Sequence, residues 1–158
     1  MTRAAAAVDG TSIRLLLVVT ASAGLAAVDL NSKLVLETPP WAYHERSLPW
    51  VALCLVVLLG VALLALVPSR VVAVAAGITG GGVLGNLLSA RWNENNVANP
   101  FLLGSRTDDW IAFNVADVLV LVGVLVLMPA LMRVAIRHRH RLRPPSAFER
   151  RLERWLGL

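Results

Sequence analysis

Four long apolar stretches, parted by short polar segments, set the rhythm of the chain. Residues 13–33 are apolar apart from Arg14, Asp29 and the terminal Lys33. Residues 48–67 carry no charge and are flanked by Arg46 and Arg70. Residues 71–90 carry none and run into Arg91, and residues 110–132 contain one, Asp117. The hydrocarbon core of a bilayer is about 30 Å thick and takes about 20 helical residues to cross. Each stretch is therefore predicted to be a membrane-spanning helix. Barrel strands are excluded, because they are about ten residues long and alternate in polarity. The third stretch places Gly77, Gly81 and Gly85 at i, i+4 and i+8, a spacing that cuts a groove for a neighbouring helix. Pro68 and Ser69 are predicted to turn the second helix tightly into the third.

Composition agrees with this pattern. The chain has 158 residues, of which 57% are hydrophobic and 16% charged, with a mean hydropathy of +0.68. Soluble domains have about 45–50% apolar and about 25% charged residues, so a soluble enzyme is excluded and a single membrane domain, 1–158, is expected. A lone cysteine, Cys54, rules out a disulfide framework and a cysteine zinc cluster. The net charge of +5 is carried mainly by the end of the chain, where eight of the fifteen basic residues lie in positions 133–158. With both termini cytoplasmic, eleven basic residues (Arg3, Arg14, Arg70 and the eight of the tail) lie inside and four (Lys33, Arg46, Arg91, Arg106) outside. The positive-inside rule selects that orientation. A competing reading makes Ala21-Ser22-Ala23 a signal-peptide cleavage site and leaves three spans. The polar residues that follow the site favour retention of the first helix.

This topology gathers the unusual polar residues at one face of the membrane. Asp29 and Lys33 end the first span, Asn86 nears the end of the third, and Asn114 and Asp117 open the fourth. Asn93, Asn95, Asn96 and Asn99 fill the loop between the last two spans. Ionisable residues within a span are costly, so they mark a partner or a wet cavity. Asp117 precedes fifteen uncharged residues and has no ready route to water. Asp29 and Lys33, four apart on one helical face, are placed to pair with each other.

The string Gly85-Asn86-Leu87-Leu88, then Val97, then Phe113-Asn114-Val115-Ala116-Asp117 followed by Gly123, resembles the lipoprotein signal peptidase (signal peptidase II) family. That family's pattern reads GNxxDR, VxDF and FNxAD ahead of its last helix. Asp29-Leu30-Asn31-Ser32-Lys33 resembles its DQxTK at the end of the first helix. The resemblance implies an all-α integral membrane fold of four helices with a small extracytoplasmic β element. It also implies a membrane aspartic endopeptidase of the bacterial cytoplasmic membrane, acting without a metal or other cofactor. Such an enzyme cuts a prolipoprotein signal peptide just before the lipid-modified cysteine, using two aspartates. One is ionised and activates water, and the other is protonated and polarises the scissile carbonyl. Asp117 matches the second catalytic aspartate. Asn86, Asn114, Arg91, Asp29 and Lys33 take the places of substrate-binding residues, and the implied partner is a diacylated prolipoprotein or membrane lipid, met by a monomer.

The departures fall on the chemistry. Asn99 stands where the first aspartate is expected, within Val97-Ala98-Asn99-Pro100-Phe101, and an amide has no carboxylate to act as a base. The aspartate of GNxxDR is missing, and Arg91 fits only with a one-residue insertion. The family's NxGAAF segment is not recognisable in residues 34–48, so a reduced outer sheet is expected. Asp108 or Asp109 are the available substitutes for the missing acid. Three readings stay open: an active peptidase using Asp117 with Asp108 or Asp109, a pseudopeptidase that binds lipoproteins, signal peptides or lipids without cutting, and a structural membrane protein.

After Met132 the chain turns basic, with Arg133, Arg137, Arg139, Arg141 and Arg143 interleaved with His138 and His140. Such a run attracts anionic lipid headgroups, and histidines among arginines make a poor metal site. Pro144-Pro145 breaks the helix. Ser146-Ala147-Phe148-Glu149 reads as a capping box. It opens a short helix with Phe148, Leu152, Trp155 and Leu156 on one face, predicted to lie on the cytoplasmic leaflet. Nucleic acid is not an expected partner.

Overall fold

The computed structural model describes residues 3–104, 110–139, 151 and 154–155, with side chains from residue 10 onward. Asp108 and Asp109 lie outside the described residues, and so does most of the predicted tail helix, including Phe148, Leu152 and Leu156. Four long helices dominate: α1 (Arg3–Val35), α2 (Leu48–Leu63), α3 (Arg70–Trp92) and α4 (Val115–Arg137). Each contains a stretch long and apolar enough to cross a membrane: Gly10–Val35, Leu48–Leu66 (α2 with a terminal 3-10 turn), Arg70–Trp92 and Val115–Arg137. At about 1.5 Å per residue, the 23 residues of α3 span about 35 Å. Large apolar side chains such as Leu16, Val56, Leu121 and Met128 point outward, the surface of a protein solvated by lipid. The chain is an all-α integral membrane protein with small antiparallel strand pairs at one end.

Helix α3 is the centre of the bundle, because its small residues let neighbours approach closely. A Cβ at Gly77 would meet Ala21, one at Gly81 would meet Leu25, and one at Gly85 would meet Asp29. The predicted glycine groove therefore holds α1. The opposite side of α3 receives α4, where Gly82 faces the Ala116 carbonyl and Val120, and Gly123 of α4 faces Thr79. Helix α2 packs mainly on α3, and between α2 and α4 a groove stays open. The α2–α3 turn is tight, as the Pro68-Ser69 pair predicts. Ser69 caps α3 by accepting the Val72 amide at 3.3 Å, and Arg14 ties α1 to this turn through its Nε on the Ala65 carbonyl at 2.8 Å. Arg14 is thus not a stray charge in the first span, since it satisfies a carbonyl at the end of the second.

The first helix begins well before residue 13, and the fourth begins five residues later than the hydropathy suggests. The apolar residues Ile111–Phe113 pair as strand β4 with β3 (Phe101–Leu103), in the register Phe101↔Phe113, Leu102↔Ala112 and Leu103↔Ile111. The Phe101 and Phe113 rings stack, 5.6 Å between centroids. Hydropathy alone does not separate a short apolar strand from the helix that follows it. A second pair joins β1 (Tyr43–Glu45) to β2 (Asn96–Ala98) antiparallel. The loop asparagines serve the backbone of this region. Asn93 closes α3 with its side chain on the Ser89 carbonyl at 3.0 Å. Glu94 and Asn95 take positive φ values of 52° and 67°, and the Asn95 carbonyl then receives the Arg46 amide at 2.7 Å.

Candidate functional site

The strand pairs, the end of α1 and the start of α4 enclose a continuous polar chain. Asp29, which has no exposed surface, lies on α1 against the bare backbone at Gly85. Its Oδ2 accepts from Lys33 Nζ at 2.7 Å, and its Oδ1 accepts from the Ala116 amide at 2.8 Å. That amide belongs to the first turn of α4, where backbone N–H groups lack intrahelical acceptors and the helix dipole favours an anion. One carboxylate thus neutralises Lys33 and seats α4 on α1. Lys33 Nζ also donates to Asn86 Oδ1 at 2.8 Å, and Asn86 Nδ2 donates to Asp117 Oδ1 at 2.9 Å.

Asp117 is held at the third position of α4 by a capping box. Asn114 Oδ1 accepts from the Asp117 amide at 3.0 Å, and Asp117 Oδ2 accepts from the Asn114 amide at 3.1 Å. Asn114 is fully buried. Its Nδ2 donates to the Ala98 carbonyl at 3.3 Å and to Asn99 Oδ1. Asn99, 1% exposed, completes the chain through its Nδ2 to His44 Nδ1 at 3.1 Å. A polar network of this kind is stable only when each buried member finds a partner, and the run from Asp29 through Asn99 to the exposed His44 satisfies that condition.

The sequence reading brings Asp29, Lys33, Asn86, Asn114 and Asp117 together, and the structure does too. Asn99 reaches Asp117 only through Asn114. Arg91 stands apart, exposed on the last turn of α3. It lies five residues beyond Asn86, about 140° around the helix, and outside the hydrogen-bonded chain. His44 was not anticipated. Its one signal was being the only histidine outside the basic tail.

Asp117 and Asn86 also line a groove of about 290 Å3 between α2, α3 and α4. The rest of its wall is Trp50, Leu53, Cys54 and Val57 of α2 with Val83 and Val120. Among the described residues, Asp117 is the only carboxylate on that wall. The Arg46 guanidinium lies over the Trp50 ring, 5.1 Å from its centroid. Its Nε is buried and has no hydrogen-bond partner among the described residues. The groove is apolar along its length, with an acid and an amide on one side and a cation beside its tryptophan. That lining suits an extended or helical peptide presented from within the membrane.

These features define a multi-pass helical membrane protein with a polar site built where the helices meet their strand-bearing end. The chain belongs to the signal peptidase (SPase) II family, whose family model matches residues 24–133. Two solved structures share the fold, each described as a bacterial membrane enzyme determined by the in meso method. One, at 2.3 Å resolution, has a TM-score of 0.56 at 15% identity and covers 86% of this chain and 94% of its own. The other, at 1.9 Å, has a TM-score of 0.55 at 17% identity, covering 76% and 92%. No curated protein matches the chain.

Proposed function

We propose that this protein is a non-cleaving member of its family that holds the signal peptide of a lipoprotein, or a diacylated prolipoprotein, in the groove between α2 and α4. The proposed setting is the bacterial cytoplasmic membrane with both termini inside, as the eleven-to-four distribution of basic residues favours. One observation carries the reading. Hydrolysis by an aspartic pair needs two carboxyls facing one scissile bond and sharing a proton. Here the position of the first acid is Asn99, which is buried, hydrogen-bonded at both ends of its amide and absent from the groove wall. Asp117 and Asn86 remain as polar contacts for a peptide backbone, and Arg46 beside Trp50 offers a cation to a carbonyl or a lipid phosphate.

The test uses the purified full chain in lipid nanodiscs with a fluorescent diacylated lipopeptide that spans a signal-peptide junction. Binding is expected, with the peptide intact after prolonged incubation. Asn86→Ala should weaken binding by about tenfold or more, as expected for a lost hydrogen bond to a charged network, while Asp117→Asn should largely preserve it. Cleavage that is abolished by Asp117→Asn would establish an active peptidase, and a further loss with Asp108→Asn or Asp109→Asn would identify its second acid. Absence of binding would refute the proposal outright.

A further inference from the structure

At the end of the bundle opposite the polar cluster, the start of α3 and the last turns of α4 border a cavity of about 530 Å3, larger than the groove at Asp117. Its lining changes character along α4. Leu125, Val126 and Val134 contribute apolar wall, and Arg133, Arg137 and His138 contribute cations and a ring donor or acceptor. From Leu125 to Arg137 the helix rises about 18 Å, close to the half-thickness of a bilayer core of about 30 Å. The cavity therefore reaches from the level of the headgroups into one leaflet. Neither Arg133 nor Arg137 has an acidic partner among the described residues. His138 uses Nδ1 on the Val134 carbonyl at 3.0 Å, which leaves Nε2 as its other polar atom. A smaller cavity that shares Pro68 and Ser69 adds Arg14 and Arg70 nearby.

A cavity that is apolar at acyl depth and doubly cationic at headgroup depth has the charge and the reach of one lipid. We propose that it is a specific site for a single anionic phospholipid. The phosphate is held by Arg133 and Arg137, with His138 at its edge, and an acyl chain lies along Leu125, Val126 and Val134. This site is distinct from the groove at Asp117 and from any diffuse attraction of the basic tail to a charged surface.

Native mass spectrometry of the full-length protein, exchanged out of mixed phosphatidylglycerol and phosphatidylcholine micelles, tests this. Expected are about one retained phosphatidylglycerol per chain and little phosphatidylcholine. At about 1 kcal/mol for each basic residue near the headgroups, the double change Arg133→Gln with Arg137→Gln should lower relative retention roughly 30-fold. Ala130→Phe, which fills the cavity but keeps every charge, should also lose the lipid. Val126→Phe serves the same purpose if the first variant does not fold, as judged by helical circular dichroism. Soluble glycerol phosphate should not displace the lipid. The proposal is overturned if phosphatidylcholine is retained equally, because the site would then not select an anion, or if the filled variants keep their phosphatidylglycerol or glycerol phosphate displaces it, because charge alone would then attract the headgroup.

Discussion

One of the close helix approaches in the bundle lies under the polar site, and Gly85→Ala tests whether the two depend on each other. A Cβ at residue 85 would lie 2.6 Å from Asp29 Oδ2 and 3.1 Å from its Cβ and Cγ. Asp29 has no free rotamer to retreat into, because Lys33 and the Ala116 amide hold its two oxygens. Overpacking of this kind costs about 1–3 kcal/mol. Loosening a hydrogen bond to a buried charge adds about 1.5–3 kcal/mol. Alanine returns about 1 kcal/mol of helix propensity over glycine, so the net loss is about 1.5–5 kcal/mol. For a chain of this size that corresponds to a fall in Tm on the order of 10 °C. Gly24→Ala and Gly60→Ala are the matched controls. Neither new methyl would find an atom within 4 Å, so both should melt at or slightly above the parent temperature. Thermal unfolding of the three variants in one detergent, followed by circular dichroism, reads the difference directly. If Gly85→Ala melts with its controls, Asp29 is not the rigid keystone described above.

Three further changes probe the same network. Asp29→Asn leaves Lys33 buried without its counter-ion and should cost about 3–5 kcal/mol. Adding Lys33→Met should recover part of that loss in the same melting assay, and a double variant no better than the single one would contradict the pairing. Asn114→Ala removes the cap of α4 and the link to Asn99, with an expected cost of about 1–2 kcal/mol, and amide exchange should quicken at Ala116 and Asp117. Arg46→Gln should weaken lipopeptide binding several-fold with little change in Tm, because its guanidinium contributes a cation to the groove, not support to the bundle. Equal loss of stability and binding would assign Arg46 a structural role instead.

Most of the architecture was legible because the forces behind it are local in sequence. A run of about twenty apolar residues must become a helix in lipid, and glycines four apart must leave a groove, so the helices and the α1–α3 contact could be read directly. The end of the bundle was harder. Ile111–Phe113 is as apolar as the helix it precedes and became a strand because Phe101–Leu103 lay across from it, a partner that no hydropathy window can see. The site divides in the same way. Asp29 with Lys33, and Asn114 with Asp117, stand three or four residues apart on single helices, and their pairing follows from the helical repeat. His44 meets Asn99 only because β1 pairs with β2 across 55 residues. Arg91 lies off the face of Asn86 for a related reason, since a single inserted residue turns a side chain by about 100° around a helix of 3.6 residues per turn.

The identity of residue 99 decides what this network can do. With asparagine there, each link between Asp117 and His44 is a fixed donor–acceptor pair: Asn114 gives its amide hydrogens to Ala98 and Asn99, and Asn99 turns its own amide toward His44. An amide brings no exchangeable charge, so among the described residues the cluster holds the Asp29–Lys33 pair and a single further carboxylate, Asp117, at the positive end of α4. A second carboxylate at position 99 would meet Asn114 through the same acceptor oxygen. It would also bring a negative charge into a site where two acids must divide one proton between them. That division is what peptide hydrolysis by an aspartic pair requires, and under the proposed function asparagine at this position withholds it while keeping the hydrogen bond to Asn114. On the proposed reading, Asn99 preserves the architecture of the site without its acid–base couple, the combination expected of a protein that grips a peptide without cutting it.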